Sequence, residues 1–236
     1  MKDIQGLHDS RQIGIRKVGV KTIFYPIIVL DKASKTQQTV ARINMYVDLP
    51  HHFKGTHMSR FIEILNRFHR ALNLKTVQVI LEEMRTRLDA ESAHLELAFP
   101  YFFQSTGPDQ EQALARYDCR LHGALLHELD LVVEVDVPVV VSGPSGASGR
   151  WGQVSVAVRM RTFLWIEDLI ALIEAGIGER PSPVDGSAES VCLRVSRALR
   201  DRGAFGWYKV VVKNTVNGYA ACAVAEWPDN RDGEVM

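Results

Sequence analysis

Residues 38–72 read QTVARINMYVDLPHHFKGTHMSRFIEILNRFHRAL, and the hydrophobic periodicity changes once along this stretch. Residues 38–49 are rich in β-branched and aromatic side chains, as is the segment 19–31 before them, which together predict a β-hairpin. From His57 onward the pattern becomes helical, with Thr56 as the expected N-cap. Apolar residues then recur at the spacing of one helix face: Phe61, Ile64, Leu65, Phe68 and Leu72.

The remaining chain repeats this order of patterns. Helical spacing resumes behind a second expected cap, Thr76, and residues 93–105 return to strand character. In the second half the expected elements are strands at 133–137 and 154–160, helices at 165–175 and 187–202, and strands at 207–212 and 219–227. The repeated order predicts an internal duplication. We therefore expect an α+β protein with a module at 1–110, a second at 111–228 and a tail at 229–236.

Composition excludes several classes of protein. The 236 residues include 28 Lys and Arg against 28 Asp and Glu, so no strong positive field favours nucleic acid. The longest apolar runs, such as 137–141, are far shorter than the roughly 20 residues of a membrane span, and the N-terminus lacks a signal-peptide pattern. The 3 cysteines are widely spaced, without a C-x-x-C pair. We expect a cytoplasmic protein that binds neither nucleic acid nor membrane.

A candidate anion site lies where the first helix begins. The stretch 49–61 contains three histidines together with Lys54 and Arg60. Free N–H groups and the positive end of the helix dipole favour an anion there, and Lys54, Ser59 and Arg60 can add donors. The alternative is an ordinary helix start with solvated basic residues, and composition alone favours it.

Three further features of the sequence favour a structural role over a functional one. Residues 142–152 read SGPSGASGRWG, which predicts a mobile loop rather than a phosphate cradle, because no Lys-[Ser/Thr] follows the glycines. Cys119 has no recognisable catalytic partner and is expected to be a small buried side chain. All 8 histidines lie at or before His127, so a zinc site in the second half is not expected.

The N-terminal half closely resembles the type IB GTP cyclohydrolases. The resemblance is dense up to about residue 140. It is carried by DIQ at 3–5, DSR at 9–11, KVGVK at 17–21, YPI at 25–27, TVA at 39–41, MYVDLP at 45–50 and above all GTHMSRF at 55–61.

The resemblance implies a fold, an assembly and a reaction. Members of that family have the tunnelling fold (T-fold), with two tandem β-β-α-α-β-β-like modules whose sheets are antiparallel, and they form homotetramers. They convert GTP to dihydroneopterin triphosphate and formate with a divalent metal, usually zinc. A homo-oligomer with a small heterocyclic substrate, phosphorylated or carboxylated, is therefore expected.

The second half departs from the family pattern where the metal binds. After a strand ending Val-Pro, the family reads L-C-P-C-S-K-E-I-S-x-x-G-A-H-N-Q-R, whose first cysteine and histidine are ligands. Here Gly143 and Ser145 stand in place of the cysteines, and of that motif only Gln153 is retained. The third family ligand, a glutamate, corresponds to Glu179. The resemblance therefore implies that the zinc site is lost, and no cofactor is expected.

The family's last motif, E-S-I-H-x-H, aligns with VNGYAA at 216–221, so its glutamate and histidines are replaced. The expected function is that of an enzyme on a purine, pterin or related heterocycle, with the family's metal chemistry lost or replaced. A catalytically inactive ligand-binding or regulatory subunit is the alternative. The candidate catalytic residues are Glu179 and His57. The candidate substrate-binding residues are Lys54, Thr56, His57, Ser59, Arg60 and Gln153.

Overall fold

A computed structural model describes residues 15–49, 57–68, 74–106, 112–141, 150–178, 187–216 and 219–228. In these ranges the elements are β1 (Ile15–Asp31), β2 (Lys35–Leu49), α1 (Met58–Arg67), α2 (Leu74–Leu88), β3 (Ala93–Thr106), β4 (Gln112–Leu125), β5 (Leu129–Val141), β6 (Arg150–Met160), α3 (Ile166–Ile177), α4 (Ala188–Arg202), β7 (Phe205–Val216) and β8 (Tyr219–Trp227).

The strands lie side by side in one eight-stranded sheet whose order follows the sequence from β1 to β8. The expected fold class, an α+β tunnelling fold of two tandem β-β-α-α-β-β-like modules with antiparallel sheets, is therefore wrong as a description of this chain, because the strands form a single sheet. The error has a physical source. Hydrophobic alternation reports which face of a strand is buried, but it does not report which strand lies beside it.

Cα proximity divides the chain into two compact units. Unit 1 comprises Met1–Pro100 and Arg120–Leu131, and unit 2 comprises Tyr101–Cys119 and Val132–Met236. The expected module boundary between residues 110 and 111 and the expected tail lie outside the described residues.

Unit 1 is built on the predicted hairpin. β1 pairs with β2 in antiparallel register, for example Tyr25 with Ala41, and β2 pairs with β3. Alternate residues of β2, including Ile43 and Met45, are fully buried. The apolar stripes of α1 and α2 are buried as the 3.6-residue period predicts, and each such side chain contributes about 1.5–3 kcal/mol. The buried residues of these two helices are Phe61, Ile64, Leu65, Val77, Ile80, Leu81, Met84 and Leu88.

Unit 2 combines α3 and α4 with β6, β7 and β8. Val210 and Val212 of β7 are fully buried, and two side chains fix the direction of α4 above them. Cys192 Sγ lies 3.9 Å from Val210 O, and the Tyr208 hydroxyl donates to Ser196 O at 3.0 Å. Residue numbers increase along α4 in the direction in which they decrease along β7. α4 therefore runs antiparallel to β7.

Some predicted elements differ from the structure. The N-cap of α1 is His57 rather than Thr56, which lies outside the described residues. α2 begins at Leu74, so Thr76 is a helical residue and not a cap. β4 was not predicted at all, and β6 begins at Arg150, inside the segment expected to be a loop.

The prediction that Cys119 is a small buried side chain is confirmed. The helix expected at 187–202 corresponds to α4, whose N-cap is Ser187, with its side chain accepting from Ser190 N. None of the helices in the described ranges is long and apolar enough to cross a membrane.

Candidate functional site

The start of α1 retains the features that favour an anion. His57 has extended backbone (φ −79°, ψ 100°), and its side chain makes no capping hydrogen bond to the helix. The backbone N–H of Arg60 donates to His57 O at 3.1 Å. The first turn of α1 contains no acidic residue. The positive end of the helix dipole is therefore not neutralised from within its own first turn.

Arg60 has a structural contact that its sequence context did not reveal. Its Nη1 donates to Arg87 O at 2.9 Å, and Arg87 belongs to the last turn of α2. Carbonyl groups in a last helical turn lack intrahelical donors, so Arg60 supplies one. A guanidinium carries five N–H donors, and this bond uses one of them. Arg60 is half-buried and Ser59 is exposed beside it.

Ion pairs hold α1 against α2 behind this turn. Arg87 Nη2 donates to Glu63 Oε2 at 2.8 Å, and Arg67 pairs with Glu83. Arg87 Nη1 also lies 3.6 Å from Glu83 Oε1. The two helices thus share a row of alternating charges, which fixes the position of the α1 start relative to α2.

Gln153 lies in unit 2, near the beginning of β6. Its register partners are Pro138 on β5 and Lys213 on β7, and Lys213 is paired with Cys222 on β8. Gln153 is exposed, and its Nε2 donates to Ser155 Oγ at 3.2 Å. Because side chains alternate along a strand, Gln153 faces away from the side on which Val154 is buried.

The structure therefore separates the predicted site residues into groups. His57, Ser59 and Arg60 share the beginning of α1 in unit 1, whereas Gln153 belongs to unit 2. Lys54, Thr56 and Glu179 lie outside the described residues.

Sequence reasoning missed two tyrosine–carboxylate pairs in unit 2, one buried and one partly buried. The Tyr101 hydroxyl donates to Glu167 Oε1 at 2.7 Å, and the Tyr117 hydroxyl donates to Glu174 Oε1 at 2.5 Å. These bonds tie β3 and β4 to α3. Tyr101 and Glu167 are both buried, so the bond offsets part of the cost of removing the carboxylate from water.

A third missed group lies on β2 and β3. His94 is the register partner of Tyr46, and Lys17 Nζ lies 5.5 Å from the Tyr46 ring centroid. Partial burial lowers the pKa of His94, and the positive charge of Lys17 lowers it further. Glu96 and Asp48 act in the opposite direction on this pKa, but burial is the largest cause.

Among the described residues, the side-chain donors do not form the zinc ligand set that the family resemblance implies. In the part of the chain that the structure describes, no group of three or more His, Cys, Asp or Glu side chains is placed to hold a metal ion. The segment 142–152, which corresponds to the family's cysteine and histidine ligands, contains no Cys, His or carboxylate. Zinc in proteins is held by those groups.

Solved structures define the class of fold. A hyper-thermostable AgUricase mutant superposes with a TM-score of 0.62 at 9% identity, covering 91% of this chain and 92% of that one. A hyperthermostable mutant of the urate oxidase from Bacillus sp. TB-90 gives 0.58 at 7% identity, covering 90% and 98%. At these identities the likeness concerns the fold alone, so the chain has a urate-oxidase-like fold.

Sequence comparison then specifies the family. The family model described as type I GTP cyclohydrolase folE2 matches residues 1–184. GTP cyclohydrolase FolE2 of Geobacter sulfurreducens is 50% identical over 253 residues, covering 96% of this chain and 98% of that one. GTP cyclohydrolase FolE2 of Syntrophus aciditrophicus is 42% identical over 253 residues, covering 96% and 99%. The chain belongs to the type I GTP cyclohydrolase FolE2 family.

Proposed function

We propose that this chain is an enzyme acting on a purine, pterin or related heterocycle, as a diverged member of the GTP cyclohydrolase family whose metal-dependent chemistry is lost or replaced. The observation that carries the proposal is the family match over residues 1–184, together with 40% and 50% identity to two relatives across most of the chain. Because those relatives are named GTP cyclohydrolase, GTP is the first substrate to test.

Two observations support the proposed divergence from the family: the gaps in the alignment with a relative, and the side chains present where the family's zinc ligands would lie. An alignment of 253 positions on a chain of 236 residues requires gaps, so the relative contains segments that this chain lacks. The segment 142–152 offers hydroxyl and backbone groups where zinc would need thiolate, imidazole or carboxylate. No reaction step is therefore assigned to a metal. The expected absence of a cofactor is part of the proposal.

Two groups are proposed for proton transfer, and six residues for substrate binding. Hydrolysis without a metal-bound water needs a side chain as general base, and His57 and Glu179 have suitable chemistry. Ser59 and Arg60 belong to the first turn of α1, and Lys54 and Thr56 shortly precede that helix in the sequence. The dipole at the helix start favours a phosphate or carboxylate of the substrate. His57 and Gln153 complete the proposed substrate-binding set.

Turnover of GTP is the decisive experiment. Purified protein is incubated with GTP and with a panel of purines and pterins, and formate release and mass changes are followed. His57→Ala, purified in parallel, serves as the control for contaminating activity. A mass change that His57→Ala abolishes supports the proposal. Binding without turnover of any compound would favour the inactive ligand-binding or regulatory subunit instead.

Measuring the metal content of the protein tests the proposed loss of the family's zinc site. Elemental analysis after dialysis against a mild chelator is expected to find no stoichiometric zinc. One zinc per subunit, with formate released from GTP at an ordinary enzymatic rate of about 1–10³ s⁻¹, would contradict the loss of metal chemistry.

Assembly and location are separate proposals. We expect a homo-oligomer, a tetramer by family resemblance, in the cytoplasm, with neither nucleic acid nor membrane as a partner. Light scattering coupled to gel filtration gives the oligomeric state, and a monomer at micromolar concentration would contradict the first of these.

A further inference from the structure

The C-terminal end of α3 is held by a side chain from α4. The last two residues of α3 are Gly176 and Ile177, and Arg194 donates a hydrogen bond to the main-chain carbonyl of each. The distance is 3.2 Å from Arg194 Nε to Gly176 O and 2.9 Å from Arg194 Nη2 to Ile177 O. Carbonyls in a last helical turn have no intrahelical donor, and one planar guanidinium supplies two of them here.

Close packing also prevents α3 from sliding along α4 at this end. A Cβ at Gly176 would lie 2.9 Å from Val195 Cα, so the two helix backbones are in direct contact there. Val195 is fully buried, and its neighbour Arg194 is half-buried. Adjacent residues of α4 thus supply a packing contact and two hydrogen bonds to the same turn of α3. This turn therefore has a fixed position relative to α4.

The chain leaves α3 through a conformation that favours glycine. Gly178, the C-cap of α3, has φ 85° and ψ 157°. A side chain would be strained at this φ, although no atom of the described residues lies within 4 Å of the place where its Cβ would be. Gly178 N–H donates to Glu174 O at 3.0 Å. The peptide group between Ile177 and Gly178 is thus bonded at its N–H by α3 itself and at its oxygen by Arg194.

The residue after Gly178 in the sequence is Glu179, one of the two groups proposed above for proton transfer. A group that reacts with a substrate must be placed closely, and a displacement of about 1 Å can lower a rate roughly 10²-fold. We infer that Arg194 is a positioning residue, which fixes the main chain at Ile177 and Gly178 and so holds Glu179 against the substrate. The inference rests on the proposed function, and it adds the residue through which the carboxylate is positioned.

Tyr208→Phe is the matched control, because an ordinary helix cap would also contribute stability. The Tyr208 hydroxyl donates to a main-chain carbonyl of α4, Ser196 O, but this bond does not involve α3. Arg194→Ala and Tyr208→Phe should each lower the melting temperature, by about 2–4 °C for each hydrogen bond lost. Turnover is measured with GTP first and then with the heterocycle panel. Arg194→Ala should lower kcat and kcat/KM together by about tenfold or more, whereas Tyr208→Phe should leave kcat within about twofold of wild type.

A double-mutant cycle with Glu179→Gln tests whether Arg194 acts through this carboxylate. Arg194→Ala should lower kcat about tenfold in the wild-type background and less than about twofold in the Glu179→Gln background, because the group that it positions is already absent there. Equal losses in the two backgrounds would overturn the inference. A kcat that Glu179→Gln does not change would overturn it as well.

Gly178→Ala keeps the test decisive if Arg194→Ala does not fold. This substitution disturbs the same peptide group through the backbone and leaves Arg194 in place. It should also lower kcat about tenfold, and the loss should disappear in the Glu179→Gln background. An unchanged kcat in Gly178→Ala would overturn the inference.

These outcomes distinguish the inference from the proposed function. Turnover that Arg194→Ala and Tyr208→Phe lower by the same factor would leave the function standing and remove the inference. If compounds of the panel bind without turnover, the same cycle is measured on Kd. Coupled losses of affinity in Arg194→Ala and Glu179→Gln would then support the inference and remove the catalytic proposal, and independent losses would remove both.

Discussion

Arg60, in the first turn of α1, donates a hydrogen bond from Nη1 to the main-chain carbonyl of Arg87, in the last turn of α2, at 2.9 Å. One side chain thus lies at the positive end of one helix dipole and supplies a donor to the negative end of another. The sequence predicts only the first of these roles. A test of Arg60 as a ligand-binding residue must therefore also measure stability.

Arg60→Ala is expected to lower the free energy of unfolding by about 0.5–1.5 kcal/mol, because Arg87 O loses its donor. From the sequence alone this substitution should leave helix stability almost unchanged, since alanine is the better helix former by tenths of a kcal/mol. Urea denaturation decides between the two expectations. Ser59→Ala, an exposed neighbour in the same turn, is the control and should change stability by less than about 0.5 kcal/mol.

Ligand affinity of the same variants tests the anion site. If a phosphate or carboxylate binds at the α1 start, a charge-assisted bond from Arg60 contributes about 1.5–3 kcal/mol, so Arg60→Ala should weaken binding tenfold or more. His57→Ala is titrated in parallel. Equal affinity in wild type and both variants would mean that the first turn of α1 contacts α2 but does not bind a ligand.

Close packing of α3 on α4 makes Gly176 intolerant of a side chain. A Cβ at this position would lie 2.9 Å from Val195 Cα, a main-chain atom that cannot move without shifting α4. Gly176→Ala should therefore lower the free energy of unfolding by about 1–3 kcal/mol, although alanine is favoured in helices. Gly206→Ala, whose nearest neighbour is the flexible Arg161 side chain at 3.5 Å, is the matched control. Similar losses in both variants would contradict the packing argument.

How much of the fold and of the candidate site could be predicted from the sequence depends on how far apart in the chain the interacting residues are. The hairpin of β1 and β2 and all four helices follow from local periodicity, which a single chain displays. β4 was missed although Tyr117, Cys119 and Leu121 alternate as a strand requires, because the residues between them, Asp118 and Arg120, are charged and do not favour a strand. Its alternation was the signal that could have identified it.

Contacts between distant residues carry no such local signal. Tyr101 and Glu167 are 66 residues apart and meet only because β3 lies beside α3 in the folded chain. The unpaired acceptor of Asn214, its side-chain Oδ1, could not be predicted either. Asparagine near the end of a strand is typical of an exposed turn, whereas in this fold the side chain is buried. The family resemblance reveals neither the Tyr101–Glu167 hydrogen bond nor the unpaired acceptor of Asn214.

Thiol reactivity should differ sharply among the three cysteines. Cys119 and Cys192 are buried and Cys222 is exposed on β8. Burial also raises the pKa of the Cys192 thiol, which lowers its thiolate fraction at neutral pH. A disulfide reagent such as DTNB should therefore modify one thiol rapidly in native protein and all of them only after denaturation. In Cys222→Ser the rapid phase should disappear, and its persistence would place the reactive thiol elsewhere.

The last prediction concerns pH and His94. Burial, reinforced by the charge of Lys17, lowers its pKa in the folded chain below the value of 6.5 expected when unfolded. In the interval below 6.5 the unfolded state therefore binds more protons than the folded state, so the free energy of unfolding falls as pH falls through that interval. Above 6.5 both states are neutral at this position and the effect vanishes. Urea denaturation of wild type and His94→Gln at pH 7.5 and pH 5.5 isolates the contribution of this imidazole, because other titrating groups cancel in the comparison. The stability of wild type relative to His94→Gln should decrease between pH 7.5 and pH 5.5. An increase would mean that Glu96 and Asp48 dominate and that the folded protein favours the charged imidazole.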